Sequence, residues 1–148
     1  MVDFGNKILF FPGDIKYSLR NKSEIAKWLQ AVSKKHKKRV DSLNYIFVSD
    51  EYLLNINKRF LRHNTLTDII TFDYSADKTG KNGIIGEIYI SIPRIKENAT
   101  IFKVTQTEEL HRVMAHGLLH LCGYGDKTPA EIKRMRSEEE NALDLRKF

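Results

Sequence analysis

His116 and His120 stand four residues apart in a segment whose apolar residues recur at helical spacing. Side chains at i and i+4 of an α-helix are separated by only about 40° around its axis, so both imidazoles can reach one point in space. Gly123-Tyr124-Gly125 follows, a segment suited to ending a helix and turning the chain back, and Asp126 comes directly after it. The turn can bring the Asp126 carboxylate to the open side of that point, giving His116, His120 and Asp126 as a candidate set of three metal ligands. Three protein ligands leave the fourth position of a tetrahedral ion for a water whose acidity the metal raises, which is the chemistry of a hydrolase. An isolated histidine pair at this spacing is more often two ordinary helix residues. The flanking sequence therefore carries the decision.

Those flanks describe a helix with a definite orientation. Thr105-Gln106-Thr107-Glu108 reads as a capping box, and Leu110, Val113, Met114, Gly117, Leu118 and Leu121 follow as an apolar stripe. His116 and His120 lie together at one edge of that stripe, where a helix leaves the core and borders a cleft; His111 lies away from them and reads as surface or structural. Gly117 stands where a zincin protease carries the glutamate that serves as general base, so peptide hydrolysis is disfavoured. The same glycine leaves the proton acceptor of any other hydrolysis unassigned.

The 148 residues are expected to form a single domain spanning 1–148, long enough to bury a core without covalent staples. The single Cys122 excludes an intramolecular disulfide and points to a reducing, cytoplasmic setting. No leader pattern and no apolar run of about 18 residues is present, so neither export nor a membrane partner is expected. The net charge of +6 is uneven: residues 1 to 63 carry 13 Lys and Arg against 6 Asp and Glu, whereas residues 64 to 148 carry 12 against 13. Lys34-Lys35-His36-Lys37-Lys38-Arg39 is the densest basic run; it suits either a phosphate backbone or a solvated helix end.

In chain order, Lys7 to Phe11 reads as a strand closed by Pro12-Gly13, and Ser23 caps a helix carrying Ile25, Trp28, Leu29 and Val32. Leu43 to Ser49 is a second strand, after which Ser49 or Asp50 caps a helix through Leu61 that carries Lys58 and Arg59. A loop through His63-Asn64-Thr65 leads to a third strand, Asp68 to Asp73. The polar turn Asp77 to Gly83 joins it to a fourth, Ile84 to Ile92, as antiparallel neighbours. Pro93 opens a short helix, the histidine helix follows, and Thr128-Pro129-Ala130-Glu131 starts the last. The expected architecture is α+β: a small mixed four-stranded sheet packed with about five helices. Glu138, Glu139 and Glu140 read as a solvated face from which one member can orient a ligand histidine, and Tyr124 reads as a packing residue.

His116-Gly-Leu-Leu-His120-Leu-Cys-Gly-Tyr resembles the signature of the YbeY family of metal-dependent endoribonucleases. Leu54-Asn55-Ile56-Asn57-Lys58-Arg59 with Leu66-Thr67-Asp68-Ile69-Ile70-Thr71-Phe72 resembles that family's central block, and Gly86-Glu87-Ile88 its Gly-Asp-Ile strand. The resemblance implies a zincin-like α+β fold, one bound zinc ion held by His116 and His120, and a catalytic role for Arg59. It further implies action on single-stranded RNA in ribosomal RNA maturation and ribosome quality control, with RNA and the ribosome rather than DNA as partners. The family usually has histidine as third ligand with aspartate before it. Here the count of five residues after His120 puts Asp126 at the ligand position; a shift of one residue puts Lys127 there and leaves His63 or Cys122 to substitute. Against the metalloendoribonuclease stand two other readings: a ribosome-associated RNA-binding factor with a structural metal and, more distantly, a metallopeptidase.

Overall fold

The computed structural model describes residues 7–61, 67–77 and 83–148; the His63 loop and most of the turn between Asp77 and Gly83 lie outside them. The described chain runs β1 (Ile8–Pro12), α1 (Lys22–Lys35), β2 (Val40–Val48), α2 (Asp50–Phe60), β3 (Ile69–Asp73), β4 (Ile84–Ser91), α3 (Ile92–Phe102), α4 (Gln106–Leu121) and α5 (Pro129–Asp144). The strands form one sheet in the order β1-β2-β4-β3. β1, β2 and β4 are parallel, and β3 joins β4 antiparallel as an edge strand. This is the expected α+β architecture, with a mixed sheet of four strands and five helices.

Alternation along the strands sets what lies on each face, because successive side chains of a strand point to opposite sides. On β2, Leu43, Tyr45 and Phe47 enter the main core with α1, α4 and α5, while Ile46 and Val48 pack with Leu53 and Ile56 of α2 on the other side. β4 divides in the same way: Ile84, Ile88 and Ile90 join the main core, and Tyr89 faces α2. Two polar groups deep in the main core fasten helices to their neighbours. The Tyr45 hydroxyl donates to the Met114 carbonyl at 2.9 Å, and the Trp28 indole N–H donates to the Ala142 carbonyl at 2.7 Å. The first fixes α4 against the sheet and the second fixes α5 against α1.

Close approach of α4 to the sheet depends on Gly117. A Cβ built there would lie 2.8 Å from Cδ1 of Ile88 and 3.0 Å from Cδ1 of Ile69, so the helix rests on β4 and β3 at the level of the two histidines.

Two helix starts, those of α1 and α4, differ in detail from the sequence reading, and those of α2 and α5 follow it. α1 begins at Lys22, preceded by Asn21 in the left-handed region without a side-chain cap, so Ser23 lies in the first turn and does not cap it. Ser49 caps α2, with Asp50 as its first residue; Asp14 accepts from both the Ser49 backbone N–H and its hydroxyl. Thr105 caps α4 by accepting from the Glu108 N–H, but the Glu108 carboxylate accepts from Arg146, so only half of the expected capping box is made. At α5 the box between Thr128 and Glu131 is complete.

Candidate metal centre

α4 ends in a turn that determines where Asp126 falls. Gly123 has φ 106°, a conformation natural to glycine, and its N–H donates to the His120 carbonyl while the Tyr124 N–H donates to that of Leu119. These paired bonds form a Schellman ending, which reverses the chain within two residues of the helix. Asp126 thereby returns alongside the last turn of α4.

The three predicted ligands converge. His116 Nε2 and His120 Nε2 are 3.0 Å apart, and Asp126 Oδ2 lies 3.2 Å from His120 Nε2 and 3.4 Å from His116 Nε2. Ligand atoms about 2.0–2.1 Å from a tetrahedral zinc ion would stand roughly 3.3 Å from one another, so the spacing fits such an ion. Both outer nitrogens are already committed. His116 Nδ1 is 2.7 Å from Glu139 Oε2, and His120 Nδ1 is 2.9 Å from the Tyr124 carbonyl oxygen. Each acceptor favours a proton on Nδ1, which turns the lone pairs of both Nε2 atoms toward the same point as a carboxylate oxygen. Three electron-rich atoms so placed could hold a metal ion between them.

Glu139 is buried and also accepts from Arg112 Nη1 at 3.2 Å, while Arg112 Nη2 reaches Glu140. Burial pushes the Glu139 carboxyl up, but its bonds and charge attraction to His116 and Arg112 outweigh that and hold it low, so it stays ionised. The balance at His116 is similar: burial lowers its pKa, and the bond and charge of Glu139 together with the charges of Asp126 and Asp68 more than reverse the shift. Of the three glutamates read as a solvated face, only Glu140 is exposed. Glu139 holds the His116 ring, and Glu138 accepts from the Tyr124 hydroxyl at 3.1 Å.

The histidines open into a cavity of about 930 Å³ between α2, β3 and the end of α4, lined by Asn57, Asp68, His116, His120, Asp126 and Lys127 among others. Asp68 went unassigned in the sequence, although it lies in the block Thr67 to Phe72. Burial raises its carboxyl above the ordinary range. Behind it Glu109 is raised to about 7, by burial first and by the Asp68 charge next.

The family model described as "Endoribonuclease YbeY" matches residues 13–146 of this chain. The chain belongs to the YbeY endoribonuclease family. A curated relative from Cytophaga hutchinsonii with that name is 55% identical over 141 residues, covering 95% of this chain and 96% of the relative. Another, from Flavobacterium psychrophilum, is 46% identical over 93% of this chain and 96% of its own length. Among solved structures, the solution structure of TM1509 from Thermotoga maritima matches with a TM-score of 0.64 at 25% identity, covering 93% of this chain and 87% of that one. Membership in YbeY makes the chain an enzyme of RNA phosphodiester cleavage.

Arg59 is exposed near the end of α2 and lines a second cavity, separate from the one that holds the histidines, with α2 and β3 as walls common to both. Cys122 is buried, its thiol pushed up to about 12 by that burial, and it stands outside the ligand group; Lys127 lines the cavity mouth, and His63 is outside the described residues. His111 is structural: buried, it accepts from Arg146 at 2.9 Å and packs on Trp28 and Phe148. Tyr124 packs as expected, with its ring against His36. No described helix is long and apolar enough to cross a membrane.

Proposed function

We propose that the protein is a zinc-dependent endoribonuclease of single-stranded RNA, acting in the cytoplasm in ribosomal RNA maturation and ribosome quality control. The observation that carries this reading is the convergence of His116 Nε2, His120 Nε2 and Asp126 Oδ2 at 3.0–3.4 Å, with both Nδ1 atoms engaged, inside a cavity open to a polymer. When bound, the ion supplies acidity to a water and positive charge to a phosphoryl oxygen. The protein's own part is to hold three ligands from one helix end in fixed geometry, with Glu139 and the Tyr124 carbonyl preventing rotation of the imidazoles. Arg59 clamps the substrate phosphate from the adjoining cavity, and its planar guanidinium offsets charge that builds on the oxygens as the bond breaks.

The basic run supports an RNA substrate. His36 docks edge-on against Tyr124, in the turn that delivers Asp126, and Lys34, Lys35 and Lys37 beside it are exposed. A backbone entering the cavity therefore passes a row of cations, and affinity should fall steeply with salt. The test is cleavage of end-labelled single-stranded RNA with and without chelator, beside His116→Ala, with folding followed by circular dichroism. The expected result is cleavage lost on chelation, restored by zinc, and absent in a folded His116→Ala. Unfolding of the variant would make the metal structural, and cleavage that survives both treatments would refute the reading.

A further inference from the structure

The cavity that contains Arg59 is walled by rings. It measures about 650 Å³ and lies against the sheet face opposite α4, where Tyr52 and Phe60 of α2 meet Phe72, Tyr74 and Tyr89 from β3, its end and β4. The rings form a continuous surface. Phe72 and Tyr74 are parallel within 3° with centroids 6.3 Å apart, and Tyr52 and Tyr89 lie within 20° at 6.2 Å. Phe72 meets Phe60 and Tyr89 edge to face at 6.1 and 5.8 Å. Although they touch one another, three of them face solvent: Phe60 is 65% exposed, Tyr74 55% and Tyr52 39%.

Its polar groups are few and directed. Arg59 is a cation with no hydrogen bond or ion pair among the described residues, and Asn55 presents an amide from the same helix. Glu87 accepts from the Tyr74 hydroxyl at 3.0 Å and from that of Tyr89 at 3.4 Å, holding both rings in place. Exposed aromatics gathered on one surface, here from α2 and the end of β3, with a guanidinium beside them, are a means by which proteins stack unpaired bases while a cation takes the phosphate.

We propose that this aromatic cavity is a stacking subsite for unpaired bases of the RNA whose backbone passes through the metal cavity, with Arg59 on the phosphate between the two. The proposal rests on the endoribonuclease reading for the identity of the polymer. The shared walls, α2 and β3, make one strand the natural occupant of both cavities, and the Glu87 carboxylate, held by the Tyr74 and Tyr89 hydroxyls, is an acceptor for base N–H groups beside the rings. Stacking also explains a choice of strand: a duplex keeps its base faces covered and offers the rings nothing.

The test is binding of a fluorescein-labelled single-stranded oligoadenylate, 2′-O-methylated so that it resists cleavage, to the full chain in chelator, read by anisotropy. Alanine replacement of a stacking aromatic costs about 1–3 kcal/mol per base, which is a factor of about five or more. The double variant Phe60→Ala/Tyr74→Ala is expected to weaken binding at least about fivefold, whereas Phe60→Tyr/Tyr74→Phe keeps it, and His116→Ala keeps it while abolishing cleavage. Equal affinity of the alanine variant and the wild type would overturn the proposal and leave the rings to a protein surface. Equal losses in the aromatic and alanine variants would overturn it too, because the effect would not come from ring faces. Failure of the wild type to cleave RNA would sink the enzymatic reading while leaving this measurement intact.

Discussion

Glu139→Gln tests the metal centre with the least disturbance to the fold. The wild-type carboxylate is buried, stands 2.7 Å from His116 Nδ1 and accepts from Arg112 as well. Glutamine keeps the size and one acceptor oxygen but removes the charge, and a charge-assisted bond is roughly twice as strong as a neutral one. Loss of a group that orients a metal ligand lowers metal affinity by about 10- to 100-fold, or about 1.4–2.7 kcal/mol. Because glutamine can still accept from Nδ1–H, the expected fall in zinc affinity is near tenfold. Glu139→Leu, which removes the acceptor altogether, is expected near 100-fold, but it also strips Arg112 of its buried partner and costs stability, so glutamine is the variant to read. Competition with a chromophoric chelator at pH 7.5 gives the affinity, and circular dichroism confirms the fold. A zinc affinity within twofold of wild type in folded Glu139→Gln would refute the claim that this contact fixes the ligand.

Asp126→Ala should lower zinc affinity at least about tenfold in the same competition assay while Lys127→Ala leaves it unchanged, which separates the two ways of counting the third ligand. Gly117→Ala sets a helix-propensity gain of about 1 kcal/mol against an overpacking cost of about 1–3 kcal/mol from a methyl 2.8 Å from Ile88 Cδ1; thermal unfolding should show a net loss, and a raised Tm would show that α4 has room to spare. His111 is held down to about 4 by burial first and the Arg146 charge next, against about 6.5 in an unfolded chain. Between those values the unfolded chain takes up the extra proton, so stability is lost as pH falls from 6.5 toward 4. His111→Gln, which keeps an acceptor for Arg146, should flatten the difference in urea midpoint between pH 7.5 and pH 5; an unchanged slope would assign the acid sensitivity elsewhere.

What could be read from the chain before folding was whatever its local physics decides. The apolar stripe of α4 and the glycine-bearing turn after it act within a few residues, and between them they set the spacing of His116, His120 and Asp126. The spacing also carried a signal that went unused. Met135, Glu139, Ala142 and Leu143 are the buried residues of α5, at intervals of four, three and one, so Glu139 sits on that helix's apolar stripe while Glu140 does not. A glutamate on an apolar stripe must find a partner indoors, and here the partners are His116 and Arg112.

Arg59 shows where such reading stops. Its helix, its exposure and its cationic character all follow from the sequence, but which cavity it enters depends on how α2 lies on the sheet, and that is set by the pleat of β2, β3 and β4. Asn57 and Leu61 line the metal cavity, while Asn55, Ile56, Arg59 and Phe60 line the aromatic one. The C-terminal half of α2 thus serves two chambers, with β3 contributing Thr71 to the first and Phe72 to the second. Because neighbouring residues on a strand face opposite ways, a slip of one position in the pairing of β3 with β4 would turn Phe72 toward the face that Thr71 now holds and remove it from the ring cluster. The pairing of Thr71 with Ile88 and of Phe72 with Glu87 is therefore the feature that keeps Thr71 in the lining of the histidine cavity and Phe72 in that of the ring-lined one.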